Sequence, residues 1–512
     1  MMRRLIGPVA LSFGCTFLWL TAAHAQFGRG GPEWVTSGGD AQRSNWVRMD
    51  AKISRDSMQK PGFQYLWKVK LNNEPRQLNG LSTPALLNAY IGYRGFRALG
   101  FVGGSSDSVF AIDTDLGRLE WQKHFSGGAP SAGTAACPGG MTASLSRPAT
   151  AAFPGAAPAG RGGGRSTAAR SSVGEPDQGA VTIAEAEARN AAAARGGAGR
   201  GPGGGGFGPR VSLLYAISSD GMLHAMYVSN GEEPNPPEHF LPANANAAGL
   251  IVVDNVAYAA TAGSCGGAPN AVWALDLTSK QVASWKAPAD IAGPSGLALG
   301  PDGTVYVAAT DGSLTALESK TLKPKDSYSS GSQPFVSSPM IFQMRDKALV
   351  AAATKDGRIH ILDAANLGGS DHKTPLAQTP PSSAGGMDTL STWHDNSGTP
   401  WILAPTANTI AAWKVVDQSG TPTIQTGWVS REIPSPIPPT IVNNVVFTAS
   451  AGDARTPSVL YALDSSTGKE TWNSGKAITS FVHGATLAAG GSQLYLGTHD
   501  GTWYAFGFWI EH

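Results

Sequence analysis

The sequence predicts an all-β fold, an eight-bladed β-propeller of four-stranded antiparallel blades. Three observations point there: a strand-turn-strand unit that recurs eight times, Asp-Gly hairpins just ahead of it, and a composition with 65 Gly and 35 Pro among 512 residues. Many short strands joined by tight turns have that composition.

The unit reads most clearly in Ala111-Ile-Asp113-Thr-Asp-Leu-Gly117-Arg-Leu-Glu-Trp121 and Ala462-Leu-Asp464-Ser-Ser-Thr-Gly468-Lys-Glu-Thr-Trp472. A degraded copy starts at Ala274-Leu-Asp276, its Trp285 one residue late. In each, a strand ends on an Asp that can bond the turn backbone, Gly takes positive φ, and the return strand carries Trp. Asp220-Gly221, Asp311-Gly312, Asp356-Gly357 and Asp500-Gly501 each separate two apolar or alternating runs, the pattern of a two-residue hairpin. Asp107 and Asn408 hold that place in two further units. Aligned on Ala111, the units continue at Ala225, Ala274, Ala316, Ile361, Ala412, Ala462 and Ala505, spaced by 42 to 51 residues apart from one gap of 114. A period near fifty is that of a propeller blade. The eighth unit stops before its outer strand, whereas residues 63–71, with Trp67, have the pattern of the missing one. That N-terminal strand is expected to close the ring and remove the open edge.

The remaining segments read differently. Arg3 and Arg4, an apolar stretch from Leu5 to Leu20 and Ala23-His24-Ala25 follow the order of a Sec signal peptide over residues 1–25. The expected protein is periplasmic or secreted, with no membrane span. Residues 26–147 are read as the N-terminal part of the propeller and 211–512 as its remainder. Between them, 148–210 is rich in Gly, Ala and Arg, with seven arginines against four acidic residues, and is expected to be a disordered insertion. The whole chain is nearly balanced, 38 basic against 37 acidic side chains, so no global field recruits nucleic acid.

The repeated units and the opening Glu33-Trp34-Val-Thr-Ser-Gly-Gly-Asp40 resemble the pyrroloquinoline-quinone (PQQ) repeat propellers. That family holds quinoprotein alcohol dehydrogenases and periplasmic scaffolds of outer-membrane assembly, and the resemblance covers nearly all the chain after residue 25. It implies that Trp67, Trp121, Trp285 and Trp472 dock between neighbouring blades. It does not imply a reaction, because the repeat builds the ring while a cofactor needs separate residues. PQQ is a flat tricarboxylate requiring cationic donors, stacking surfaces and usually Ca²⁺ with carboxylate and amide ligands. Methanol-dehydrogenase-like members also carry two adjacent cysteines, a pair this sequence lacks.

In a propeller the loops leading into the inner strands form one rim. Here they carry Arg76, Asn79, Ser82, Met141, Asn246, Ser295, Ser338, Asp388 and His483, a set with little charge. Asp388 has the chemistry of a general base or a metal ligand, and His483 that of a proton shuttle or a ligand. The structural reading, in which Asp388 caps a turn and His483 bonds a neighbouring loop, is the favoured one, because isolated polar residues at strand entries commonly do this. Asp388 stands as a catalytic candidate only, and no metal ligands are assigned. Two functions follow. One is a binding or scaffold propeller that holds another envelope protein or a small ligand at its rim. The other is a PQQ-dependent dehydrogenase, with PQQ and Ca²⁺, oxidising alcohols or sugars and passing electrons to a separate cytochrome. Sparse rim charge favours the first; the opening segment favours the second.

Only Cys137 and Cys265 follow residue 25. Cys137 precedes the second blade's inner strand and Cys265 lies in a hairpin loop of the third, so both emerge on one rim of adjacent blades. In an oxidising compartment a disulfide between them is expected.

Overall fold

A computed structural model describes residues 33–76, 80–92, 95–126, 133–134, 136–153, 212–382, 385–484 and 486–509. Eight antiparallel sheets follow one another round the ring, and the repeat anchors fall in the third strand of each. Ala111 lies in Ser108–Asp113, Ala225 in Met222–Tyr227, Ala316 in Ser313–Leu317, Ala412 in Ile410–Gln418 and Ala505 in Thr502–Gly507. The middle strands are apolar on both faces and buried throughout, as in Val305–Ala308 and Val445–Ser450. Each is covered by a blade on either side, so the alternation of a half-exposed sheet disappears. Outer strands such as Arg118–His124 alternate between exposed and half-buried residues.

The N-terminal strand Gln64–Lys70 pairs antiparallel with Thr502–Gly507, Trp67 opposite Ala505. It is the outer strand of blade eight, whose other strands are Ala488–Gly490 and Gln493–Gly497. The ring therefore closes with strands from both ends of the chain.

Blade two departs from the four-stranded pattern. Its inner strand shrinks to a bridge between Ser146 and Tyr215 beside three regular strands. The chain then leaves the blade, and Pro148–Ala149 runs parallel to the inner strand of blade three. Ala151 and Phe153 are buried beyond it. Residues 148–153, assigned to the insertion by composition, thus belong to the packed propeller. The rest of that insertion, and the signal peptide read at 1–25, lie outside the described residues.

A second thread lies inside the ring. From Trp34 to Asp50 the chain bonds every blade in turn. The Trp34 carbonyl accepts from Leu86 N of blade one, and the Val35 carbonyl from Arg147 N beside blade two. Thr36 Oγ1 donates to Leu250 O of blade three. Carbonyls of Ala41, Gln42, Ser44 and Asn45 accept from Leu299, Ile341, Thr392 and Ile441 of blades four to seven. Asp50 accepts from Ser492 of blade eight. So tight a turn needs left-handed backbone: Gly38 and Gly39 have φ of +76° and +86°. Each inner strand has an edge that would otherwise leave peptide groups unpaired in the channel, and the thread supplies their partners.

Candidate functional site

The rim loops converge above this thread, and their small hydroxyls mostly bond neighbouring blades. Thr83 Oγ1 accepts from Thr486 N at 3.0 Å, joining blades one and eight. Thr142 Oγ1 accepts from Ala247 N and donates to Ala247 O, both at 2.8 Å, joining two and three. Ser338 Oγ accepts from Ser295 N at 2.9 Å, joining four and five. Ser391 Oγ donates to Pro439 O at 2.6 Å, joining six and seven. A hydroxyl that both donates and accepts can stitch two strands whose backbones do not pair directly.

The rim residues read from the sequence therefore separate into two groups. Ser295 and Ser338 are buried and bonded to each other's strands, and Met141 is buried with its sulfur against Gly103. Ser82 accepts from Gly103 N and donates to Thr83 O, and Asn246 opens the inner strand of blade three, half-buried. Arg76 lays its stem over Gly140 between blades one and two. Asp388 and His483 remain exposed. Asn79 lies outside the described residues.

Asp388 borders a cavity of about 180 Å³ between blades five and six, shared with Lys355, Val336, Met387 and the glycine pair Gly385-Gly386. Although solvent reaches the carboxylate, protein surrounds it, and this desolvation pushes its pKa above the ordinary value. His483 is pushed down, first by desolvation and then by the neighbouring His499. His499 stacks on Phe481 at 4.6 Å. Asp388 and His483 stand two blades apart.

Cys137 and Cys265 are joined by a disulfide with Cα atoms 5.4 Å apart, tying the loop into blade two to the hairpin of blade three. Gly263 N beside it donates to Asp290 Oδ1 at 2.8 Å, which extends the tie towards blade four.

One constellation escaped the sequence reading. Ser218 Oγ lies 2.9 Å from His224 Nε2, and His224 Nδ1 lies 2.8 Å from Glu233 Oε1, the order of a serine-hydrolase triad. Its surroundings argue for a clasp. Ser218 is buried and donates to Asp220 of its own hairpin. Blade five repeats the arrangement without a nucleophile's partner: Thr354 Oγ1 is 3.2 Å from His360 Nε2, His360 Nδ1 is 2.8 Å from the Tyr328 hydroxyl, and Thr354 donates to Asp356. The shared pattern Ser/Thr-x-Asp-Gly-x-x-His was available in the sequence as the signal for it.

Among the described residues no group of three or more His, Cys, Asp or Glu side chains gathers in a way that holds a metal ion. Among the described residues the rim-side cations Arg76, Lys355 and Arg455 belong to different blades, one, five and seven. These residues do not fit a Ca²⁺-bound tricarboxylate, which needs clustered oxygen ligands and converging cations.

Residues 246–474, blades three to seven, match the PQQ-type family model described as outer membrane protein assembly factor BamB. No curated protein matches the chain in sequence. Among solved structures, the quinohemoprotein alcohol dehydrogenase ADHIIG of Pseudomonas putida HK5 is similar with a TM-score of 0.57 at 12% identity, over 94% of this chain and 81% of that one. The quinohemoprotein alcohol dehydrogenase of Comamonas testosteroni gives 0.55 at 14%, with the same coverage. The computationally designed Ika8 protein gives 0.51 at 13%, over 87% of this chain and all of that one. The feature shared with these structures is the fold, a β-propeller.

Proposed function

We propose that this PQQ-repeat propeller is a binding or scaffold protein of the cell envelope, and that its rim holds another envelope protein or a small ligand. One observation carries the reading: at the rim end of the channel the buried hydroxyls and the inner-strand peptide groups are mostly bonded within the chain itself. The buried hydroxyls of the rim stitch blades together, the thread pairs with the inner strands, and the exposed groups Asp388, Lys355 and His483 lie on the outer rim. A fold of this kind offers a wide rim to a partner without requiring an internal pocket. The matched family, described as an outer membrane protein assembly factor, supports an envelope location, as does the signal-peptide pattern of residues 1–25. No described helix is long and apolar enough to cross a membrane.

The test is to place a photo-crosslinking residue at Lys355, at His483 and, as a control on an outer strand, at Leu119, in cells that express the full chain. Discrete adducts from the two rim positions, in the envelope fraction and absent from position 119, are the expected result. PQQ with Ca²⁺ is added separately to purified protein. A stable quinone absorbance with dye reduction on alcohols or sugars would overturn the reading in favour of a dehydrogenase.

A further inference from the structure

The thread inside the ring carries three neighbouring charges, and two of them are fully bonded. The Asp40 carboxylate accepts from Gln42 N, Ser44 N and Ser44 Oγ at 3.1, 3.0 and 2.5 Å. The buried Arg43 directs Nε to Leu297 O at 2.9 Å, and Nη1 and Nη2 to Ser37 O and Gly249 O at 2.6 Å. Arg48 differs. Its guanidinium carbon lies 4.0 Å from the centre of the Trp46 ring, and its Nε is enclosed and meets no acceptor among the described residues. Trp46 Nε1 is also enclosed without an acceptor.

Asp40 faces both arginines, so the three groups together carry one net positive charge. The His394 ring lies 5.3 Å from Trp46 and its Nε2 donates to Gln343 O at 2.9 Å. Asp395, the acid next to His394, already accepts from Ser397, Thr399 and Trp401. Desolvation lowers the pKa of both Arg48 and His394, and Arg48 adds to the effect on His394. This is the condition of a cation short of an anion. A water molecule can accept from Nε, but it leaves the charge uncompensated.

Gln343 and His394 stand near the ends of inner strands Met340–Met344 and Ser391–His394, which run away from the rim. We infer that Arg48 and Trp46, bordered by His394, form a binding site for a small oxyanion, a carboxylate or a phosphate, at the channel mouth opposite the rim. With Trp46 4.0 Å from the guanidinium carbon and Nε enclosed, the two terminal nitrogens of Arg48, for which the described residues supply no acceptor, are the donors left to capture two oxygens. The inference is independent of what the rim binds.

The test uses the full exported chain with ¹⁵N-labelled arginine, titrated with inorganic phosphate and, separately, with acetate, at ionic strength held constant by chloride. The Arg48 Nε–H resonance, assigned by its loss in Arg48→Lys, is expected to shift saturably with at least one of the two. Response to phosphate alone identifies a tetrahedral oxyanion; response to acetate alone identifies a carboxylate. Calorimetry is expected to show affinity for the responding anion weakened at least tenfold in Arg48→Gln, and severalfold in Trp46→Phe. The second variant keeps the test open if the first does not fold. A resonance that moves with neither anion, or moves equally with chloride, overturns the site and leaves Arg48 capped by water.

Discussion

His360 is buried, and desolvation pulls its pKa from the usual 6.5 down to about 4, against a smaller opposing effect of Asp356. The neutral ring suits its partners, because the Tyr328 hydroxyl can donate to Nδ1 while Nε2 donates to Thr354. The folded pKa is depressed, so this histidine's contribution to stability is fully present above pH 6.5. It is lost as pH falls from 6.5 towards 4, where the unfolded chain takes up the proton and the folded chain does not. The loss is at most about 3 kcal/mol. Urea unfolding of the parent and of His360→Gln across that window is expected to show a pH slope that is steeper in the parent. Equal slopes would mean that His360 is protonated in the folded protein. His224 and His394 are depressed in the same direction, which is why the comparison is made between variants. Such clasps were hard to read from sequence because each partner hydroxyl, Thr354 or Ser218, looks like an ordinary turn residue. Only the fold brings Tyr328 or Glu233 to the other ring nitrogen.

At the level of elements, the repeat was legible wherever the turn kept its length. Trp67, Trp121 and Trp472 each stand opposite the anchor of their unit, at Ala505, Ala111 and Ala462. Trp67 and Trp121 donate from Nε1 to carbonyls of the next blade, Thr114 O and Val228 O. Trp285 instead pairs with Val272, two positions from its anchor Ala274, and packs partly buried against blade four. The sequence reading missed Trp428, which stands opposite Ala412 and donates to Ser465 O of blade seven at 2.7 Å. Its hairpin is long, with strands Ile410–Gln418 and Thr421–Val429, so the spacing that marks the other units is stretched. Gly468 faces this ring: a Cβ there would meet it at 2.3 Å, at a φ of +69°. Trp428→Ala is expected to cost about 3 to 5 kcal/mol in urea unfolding, as for other buried aromatics. Gly468→Ala alone is expected to destabilise as well, and the double variant to fall short of the sum by more than about 0.5 kcal/mol, since both act on one contact. Additive losses would show that the tryptophan does not seat on that glycine.

At the scale of the whole molecule, the ring is held by both ends of the chain. The closing strand was legible because it repeats the pattern of the other outer strands. The thread from Trp34 to Asp50 was not, because most of its bonds to the blades run through backbone carbonyls that carry no residue signature. Composition likewise placed the boundary of the insertion too early, since Ala149, Ala151 and Phe153 resemble their low-complexity surroundings while packing against blades three to five. The distinction is testable by two replacements. Exchanging 154–210 for a Gly-Ser linker of about 20 residues leaves every described contact in place, and closure entropy varies only with the logarithm of loop length. The Cys137–Cys265 bond encloses this segment at a separation of 128 residues, and the shorter loop changes its contribution by only about 0.3 kcal/mol. The melting temperature is therefore expected to stay within about 2 °C of the parent. Starting the same replacement at residue 148 removes the pairing of Pro148–Ala149 with Val252 and Val253 and the bond from Gln42 Nε2 to Ala151 O, and it empties the site of Phe153. Loss of a buried Phe alone costs about 3 to 5 kcal/mol, so this variant is expected to melt several degrees lower. Equal melting temperatures for the two would show that 148–153 adds nothing to the ring, whereas a fall in the first would show that 154–210 packs on it.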